Sequence, residues 1–211
     1  MANYKHEFNS CYFIMSPDCS KLGELVEVRS GYHFRRGVNS DPLGRARVIQ
    51  LADLSRSSGI EWSNLTQVNG EEIALDYFIK RGDVLLSSRG NKSHVILVDR
   101  DVADVVAPNY LLILRITSKL ITSEYLSWYL QQPQAQAQIE RARRGTTIQL
   151  ISRGELAELT VPIPPLQLQE KIAKIGALAL KEQDLLDQLK IERHRLISAS
   201  LQRVADGYVT N

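Results

Sequence analysis

The sequence predicts an α+β protein, in which a mixed, β-rich globular domain is followed by a long C-terminal helix of the coiled-coil-forming kind. Three observations support this fold class. Short runs of valine, isoleucine and leucine, separated by Gly, Asn and Asp, fill the chain from Leu22 to about Val161 and are typical of strands joined by turns. Good helix formers without a proline fill the chain from Leu166 to about Val204. Pro162, Pro164 and Pro165 stand between these two parts. The predicted division is residues 1–165 for the globular domain, 166–204 for the helix and 205–211 for a tail.

Four apolar runs predict the main strands of the globular domain. Valine, isoleucine and leucine dominate each run, which favours half-buried or fully buried strands. The runs are RVIQLADL (47–54), DVLLSS (83–88), HVILV (94–98) and NYLLILRI (109–116).

Three shorter helices are predicted between these strands and the long helix. The first has Thr122 or Ser123 as its N-cap and presents an apolar face at helical spacing. Pro133 should break or kink it, so that a second helix begins at the next residue. A third helix should follow Ser152, because Ser152 and Glu155 have the spacing of a capping box.

The long C-terminal helix is predicted to pair with a second helix. At 1.5 Å per residue it extends about 57 Å, which is more than a small domain can bury against itself. The preceding prolines hold the chain extended and so fix the angle at which the helix leaves the domain. The alternative is a surface helix that folds back on its own domain through a break at Gly176. The residues predicted to form the helix–helix contact are Leu168, Ile172, Ile175, Ala179, Leu186, Leu189 and Leu196.

Composition and motifs argue against several classes of function. The formal net charge is only +2, so any nucleic-acid binding must come from local basic patches. The apolar run at 110–116 is too short to span a bilayer, and the two cysteines cannot complete a zinc site, which together favour a reducing cytoplasm. The glycines at 82 and 90 lack the spacing of a P-loop, and no G-x-S-x-G elbow occurs. The sequence therefore predicts a chain that is not an enzyme and carries no cofactor or metal.

Three local patches predict contacts with DNA. Arginine offers forked donors to phosphate and guanine, asparagine pairs with adenine, and serine, threonine, lysine and histidine donate to phosphates or base edges. A solvated loop, a hairpin tip without function, or cations at a helix C-terminus would give similar patterns. The first patch holds Arg29, Tyr32, His33, Arg35, Arg36, Arg45 and Arg47; the second holds Ser87, Ser88, Arg89, Asn91, Lys92 and His94; the third holds Arg143, Arg144, Thr146 and Thr147.

Three segments resemble a known family when they are taken in order. They are KLGELVEVRSG (21–31), RGDVLLSSRG (81–90) and RRGTTIQLISRGELAELTVPIPPLQLQEKI (143–172). Together they resemble the specificity subunit of type I restriction–modification enzymes, over about residues 20–204. The resemblance implies a non-catalytic subunit with target recognition domains that read DNA and long helices that act as a ruler between two half-sites. It also implies docking of adenine methyltransferase subunits and, through them, restriction or motor subunits.

This chain corresponds to half of the full pattern, with one recognition domain and one long helix. The unpaired apolar face of that helix predicts a two-fold homodimer. Two identical domains would then read identical half-sites in inverted orientation, which is an interrupted palindrome. We expect the loops at 29–47 and 87–94 to face the double-stranded DNA, with Thr146, Thr147 and Gln149 in the framework beside them. The alternatives are a stand-alone DNA-binding module or regulator, and a structural adaptor that binds proteins through the helix.

Overall fold

The computed structural model describes residues 18–55, 59–89, 93–144 and 150–209. Within these residues the chain forms a β-rich body followed by one long helix, which confirms the predicted α+β class. The strands are β1 (Cys19–Lys21), β2 (Val26–Ser30), β3 (Ala46–Val48), β4 (Leu54–Ser55), β5 (Gly59–Ile60), β6 (Thr66–Val68), β7 (Val84–Ser87), β8 (Val95–Leu97), β9 (Val105–Val106), β10 (Leu111–Ile116) and β11 (Thr160–Pro162). The helices are α1 (Leu22–Leu25), α2 (Ser123–Leu130), α3 (Pro133–Ala142), α4 (Arg153–Ala157) and α5 (Leu166–Val209).

A four-stranded antiparallel sheet, in the order β2-β10-β7-β8, forms the centre of the body. Its two faces are covered by separate apolar clusters. Val84 and Leu86 of β7 lie in the cluster that contains α2, α3 and α4, whereas Leu85 lies in a second cluster with residues of β9 and β10. Because side chains alternate between the faces of a sheet, a strand that is buried on both faces has a continuous apolar sequence.

Three of the four predicted apolar runs are single strands, and one is not. The runs at 83–88, 94–98 and 109–116 contain β7, β8 and β10. The run at 47–54 instead forms the end of β3, a 3-10 turn at Leu51–Asp53, and the start of β4. The Asp53 carboxylate accepts a hydrogen bond from the backbone N–H of Gln50 at 2.7 Å, which stabilises the turn and ends the strand. β3 belongs to a second sheet, in the order β6-β3-β9.

The short helices begin close to where their caps predict. The Thr122 hydroxyl accepts a hydrogen bond from the N–H of Tyr125 at 3.2 Å and so caps α2. Helix α3 begins at Pro133 itself, one residue earlier than predicted, because a first-turn position does not need the N–H that proline lacks. Ser152 and Glu155 form the predicted capping box of α4. The four-residue helix α1 was not predicted.

Helix α5 is continuous over 44 residues, from Leu166 to Val209. It passes through Gly176 without a break, so the alternative of a helix folded back at that residue is wrong. It also ends five residues beyond the predicted position 204. At 1.5 Å per residue its length is about 66 Å. The first four turns pack on α2, and from Lys181 to Gly207 nearly all side chains are exposed.

The prolines before α5 are held by hydrogen bonds to the body. The Tyr125 hydroxyl donates to the Pro162 carbonyl at 3.0 Å. The Gln169 side chain is buried and donates to the Pro164 carbonyl at 2.8 Å, while its backbone N–H donates to the Pro165 carbonyl at 3.0 Å. The exit from the body is therefore a fixed segment of chain. None of the helices in the described residues is long and apolar enough to cross a membrane.

Candidate nucleic-acid interface

One end of the central sheet brings together segments that are far apart in the sequence. β2 ends at Ser30, which lies opposite Leu112, and β7 ends at Ser87, which lies opposite Leu111. β10 runs antiparallel to both strands and begins at Leu111. The segments that follow β2 and β7, and the segment that precedes β10, therefore share one end of the sheet. We call this the loop end, and the opposite end, where β10 finishes at Ile116, the helix end.

Short hydrogen bonds connect the first two predicted patches through residues 107–110. The backbone N–H of Tyr32 donates to the Ala107 carbonyl at 2.7 Å. The side chains of Asn109 and His33 are hydrogen-bonded at 2.7 Å. The backbone N–H of Ser88 donates to the Tyr110 carbonyl at 2.8 Å. The start of the first patch and the start of the second patch therefore lie on either side of the same segment.

The third patch joins the second through backbone pairing. Arg144 and Leu150 exchange two backbone hydrogen bonds, each of 2.9 Å, and Leu150 also forms a bridge with Arg89. The N–H of Ile151 donates to the Ser88 carbonyl at 3.0 Å. Segments near residues 32, 89 and 144 thus lie at the same end of the sheet. The predicted contacts at Asn91, Lys92, Thr146 and Thr147, and the framework residue Gln149, lie outside the described residues.

Four of the predicted arginines are available to a ligand. Arg35, Arg36, Arg45 and Arg89 are exposed and form no ion pair within the described part of the chain. His94, also in the second patch, is exposed as well. A guanidinium without an acidic partner keeps all its donors for phosphate oxygens or base edges. Their contact with DNA stays a prediction.

Two other predicted arginines are already paired with acids of the body. Arg47 donates two hydrogen bonds to the Asp104 carboxylate, at 2.7 and 2.8 Å. These hydrogen bonds lower the pKa of Asp104 and raise the pKa of Arg47. Arg29 lies 2.8 Å from the Glu27 carboxylate and is mostly buried. Both guanidinium groups stabilise the fold at these positions.

The two serines of the second patch are directed into the body. The Ser87 hydroxyl accepts a hydrogen bond from the N–H of His94 at 2.8 Å. The Ser88 hydroxyl donates to the Tyr110 carbonyl at 2.9 Å. Both residues are buried, so the structure does not place these hydroxyls where they can touch DNA. They hold the ends of the loop together.

The arginines of the third patch are also held within the chain. The Arg143 side chain is fully buried, and it donates to the Ser93 hydroxyl at 2.6 Å. Burial lowers the pKa of Arg143, and its Nε and Nη1 groups have no hydrogen-bond acceptor within the described residues. Arg144 is exposed but forms an ion pair with Glu155. The expectation of direct DNA contact therefore does not fit Arg143 in this conformation.

An open cleft of about 990 Å³ lies beside the first patch. Tyr32 packs edge-to-face against Phe34 at 4.8 Å and against Tyr77 at 5.2 Å, between ring centroids. Arg35 and Arg36 line the same cleft. Sequence reasoning missed Tyr77, which is the last residue of a 3-10 turn far from the arginines in the chain. No local signal marked it, because its place beside the cleft depends on tertiary packing.

Helix α5 presents a second surface, which is apolar and exposed. Of the residues predicted for a helix–helix contact, Leu168, Ile175, Ala179, Leu186, Leu189 and Leu196 are exposed. Ile172 differs from the prediction, since it packs against the core of its own body. At about 100° per residue, the exposed apolar positions lie on the opposite side of the helix from Gln169 and Ala173, which are buried on the body. The prediction also missed Leu178, Leu185, Ile197 and Val204, which are exposed beside this face.

The described residues contain no cluster of three or more His, Cys, Asp or Glu side chains that could hold a metal ion. The candidate surfaces are therefore the loop end of the sheet and the exposed apolar face of α5.

Three solved structures share the fold of this chain. The first is a chain from a structure that describes complex assembly and conformational transition of the type I R-M system. It is 17% identical, with a TM-score of 0.62 over 88% of this chain and 45% of that chain. The type I restriction–modification S subunit from M. genitalium is 14% identical, with a TM-score of 0.53 over 87% and 45% of the two chains. The HsdS subunit from Thermoanaerobacter tengcongensis is 18% identical, with a TM-score of 0.54 over 84% and 42%.

The present chain thus spans less than half the length of each of these structures. Comparison with curated proteins gave no match. The profile of the type I restriction modification DNA specificity domain matches residues 18–191, which is most of the chain. The chain therefore belongs to the family of type I restriction–modification DNA specificity domains.

Proposed function

We propose that this chain is the sequence-recognition subunit of a type I restriction–modification system and that the loop end of its central sheet reads one DNA half-site. The observation that carries the proposal is the gathering of three distant basic segments at that end, with exposed arginines that have no acidic partner in the part of the chain that the structure describes. Exposed guanidinium groups on loops suit both phosphate contact and readout of guanine in the major groove.

The exposed apolar face of α5 supports a homodimer as the working form. Leucine and isoleucine side chains along this face, such as Leu189 and Leu196, are each more than half exposed. A two-fold antiparallel pair of α5 helices would bury this face and place the two bodies at opposite ends. The two loop ends would then read inverted copies of one half-site, and adenine methyltransferase subunits would dock on this dimer and modify the DNA.

The DNA-reading part of the proposal is tested by selecting a binding site from random duplexes and measuring affinities for that site. Arg35→Ala and Arg89→Ala are each expected to weaken binding by about 1–3 kcal/mol if the residue reads a base. Arg81→Ala is the matched control, because Arg81 is an exposed arginine at the helix end of β7. Equal affinities for all three variants, at several salt concentrations, would remove these loops from the interface.

The dimer is tested by light scattering at micromolar concentration. Leu189→Asp should convert the dimer to monomer, because it places a charge in the apolar contact. His194→Asp is the control, because His194 is exposed on the other side of α5. A wild-type chain that stays monomeric would contradict the dimer.

Reconstitution with an adenine methyltransferase subunit of a type I system distinguishes the proposal from its alternatives. Adenine methylation that requires both proteins supports the proposal. Sequence-specific binding without any methylation would instead indicate a stand-alone DNA-binding module. Absence of both would indicate an adaptor that binds proteins through α5.

A further inference from the structure

The attachment of α5 to the body begins at Gln169. This side chain is fully buried, and its amide forms three hydrogen bonds to backbone groups. It accepts from the N–H of Thr122 at 2.9 Å and donates to the carbonyls of Leu120 and Pro164, both at 2.8 Å. These bonds fix the position of the first turn of α5, but one fixed point leaves the direction of a helix undetermined.

A second contact, two turns further along α5, supplies that direction. Gly176 lies directly against the indole ring of Trp128 in α2. A Cβ atom added at Gly176 would lie 2.2 Å from Cδ1 and 2.6 Å from Nε1 of that ring. Gly207, in the exposed part of the same helix, has no atom within 4 Å of the corresponding position. Glycine is unfavourable in a helix interior, so at position 176 the absence of a side chain has a packing reason.

Two fixed points determine the angle between α5 and the body. Gln169 and Gly176 are seven residues apart, which is about 10.5 Å along the helix axis. Both lie on the side of α5 that faces the body. An ordinary van der Waals contact for a Cβ begins at 3.4 Å, so an alanine at 176 would push α5 and Trp128 apart by about 1 Å. A displacement of about 1 Å at a distance of about 10.5 Å from Gln169 corresponds to a rotation of α5 relative to the body of about 6°.

We propose that the contact between Gly176 and Trp128 sets the angle of the body on α5 and thereby the spacing between the two DNA half-sites. This inference rests on the proposed homodimer, in which the paired α5 helices are the fixed frame. The loop end and Gln169 lie at opposite ends of β10. This strand has six residues and is therefore about 20 Å long. A rotation of 6° moves each loop end by about 2 Å, and the two bodies together by up to about 4 Å. That displacement is close to the rise of one base pair, about 3.4 Å.

The test compares Gly176→Ala with the double variant Gly176→Ala/Trp128→Ala and the control Gly207→Ala. Each full-length dimer is presented with duplexes that carry the selected half-sites at different spacings. Gly176→Ala is expected to move the preferred spacing by about one base pair, or to reduce the preference for one spacing over its neighbours. Alanine at position 128 lacks the ring atoms that the new methyl group would meet, so the double variant should restore the wild-type preference. Gly207→Ala should leave the preference unchanged.

A measurement without DNA separates failure of this inference from failure of the proposed function. Ala103 is exposed on the body, so Ala103→Cys provides a site for a spin label after Cys11 and Cys19 are changed to serine. Two such labels report the distance between the two bodies in the dimer. That distance should shift by several ångströms in Gly176→Ala and return in the double variant. A monomeric wild type would contradict both proposals. A dimer with unchanged body-to-body distance and spacing preference in Gly176→Ala would overturn this inference alone.

Discussion

Replacement of Gln169 by leucine tests whether the start of α5 is held by its buried amide. Leucine has a similar volume, so the substitution removes three hydrogen bonds and creates little cavity. The N–H of Thr122 and the carbonyls of Leu120 and Pro164 lose their partner. A buried polar group that loses its partner costs about 1–3 kcal/mol. Leu120 is 57% exposed, so water can reach its carbonyl and the total is reduced.

We expect Gln169→Leu to lower the free energy of unfolding by about 3 kcal/mol, which is a decrease in Tm of about 6–12 °C for a protein of this size. Urea unfolding followed by tryptophan fluorescence, to which Trp128 beside α5 contributes, measures the change. Gln167→Leu is the matched control, because Gln167 is exposed two residues earlier and forms no side-chain hydrogen bond within the described residues. The reasoning is refuted if the two variants unfold within about 0.5 kcal/mol of each other.

Three further outcomes are expected from unfolding measurements. Ser152→Ala should destabilise the chain by about 1 kcal/mol, because it removes the hydroxyl that accepts from the Glu155 N–H, and a change near zero would contradict the capping role. Arg143→Met should leave stability unchanged or raise it, since it removes a buried guanidinium whose Nε and Nη1 have no hydrogen-bond acceptor among the described residues; a large loss would show that the charge is needed. Arg47 lowers the pKa of Asp104 in the folded state, so this pair stabilises the fold above the unfolded carboxyl pKa of about 3.9 and the stabilisation is lost as the pH falls through the lower folded value. Asp104→Asn should therefore be less stable than wild type at pH 7 and approach it as the pH falls below the lowered pKa of folded Asp104, whereas parallel curves would contradict the linkage.

Local signals predicted most of the fold. The capping box at Ser152, the N-cap at Thr122 and the proline at 133 each act through groups within four residues, so the sequence alone contains the whole interaction. The apolar runs of β7 and β10 were recognisable because both faces of the central sheet are buried. The turn at Leu51–Asp53 was missed, since a hydrogen bond that the Asp53 carboxylate accepts from the Gln50 N–H outweighs the apolar pattern around it.

The candidate site was predicted less completely, because exposure depends on tertiary partners. Arg29, Arg47 and Arg35 have the same side chain and occur in the same patch. Only the structure shows that Arg29 pairs with Glu27 and that Arg47 pairs with Asp104, which is far from it in the chain. Arg35 has no ion pair within the described residues. Residue type predicts which chemistry a position can supply, whereas the fold decides whether that chemistry is already in use.

The separation of the loop end from the helix end has a consequence for how such a chain can change. Insertions, deletions and substitutions after β2 or β7 alter only the loop end of the sheet. The hydrogen-bonded strands β2, β10 and β7 separate that end from the place where α5 packs on the body. The loops can therefore change in sequence and length while the sheet and α5 stay the same. Variants that differ only in these loops should form the same assembly through α5.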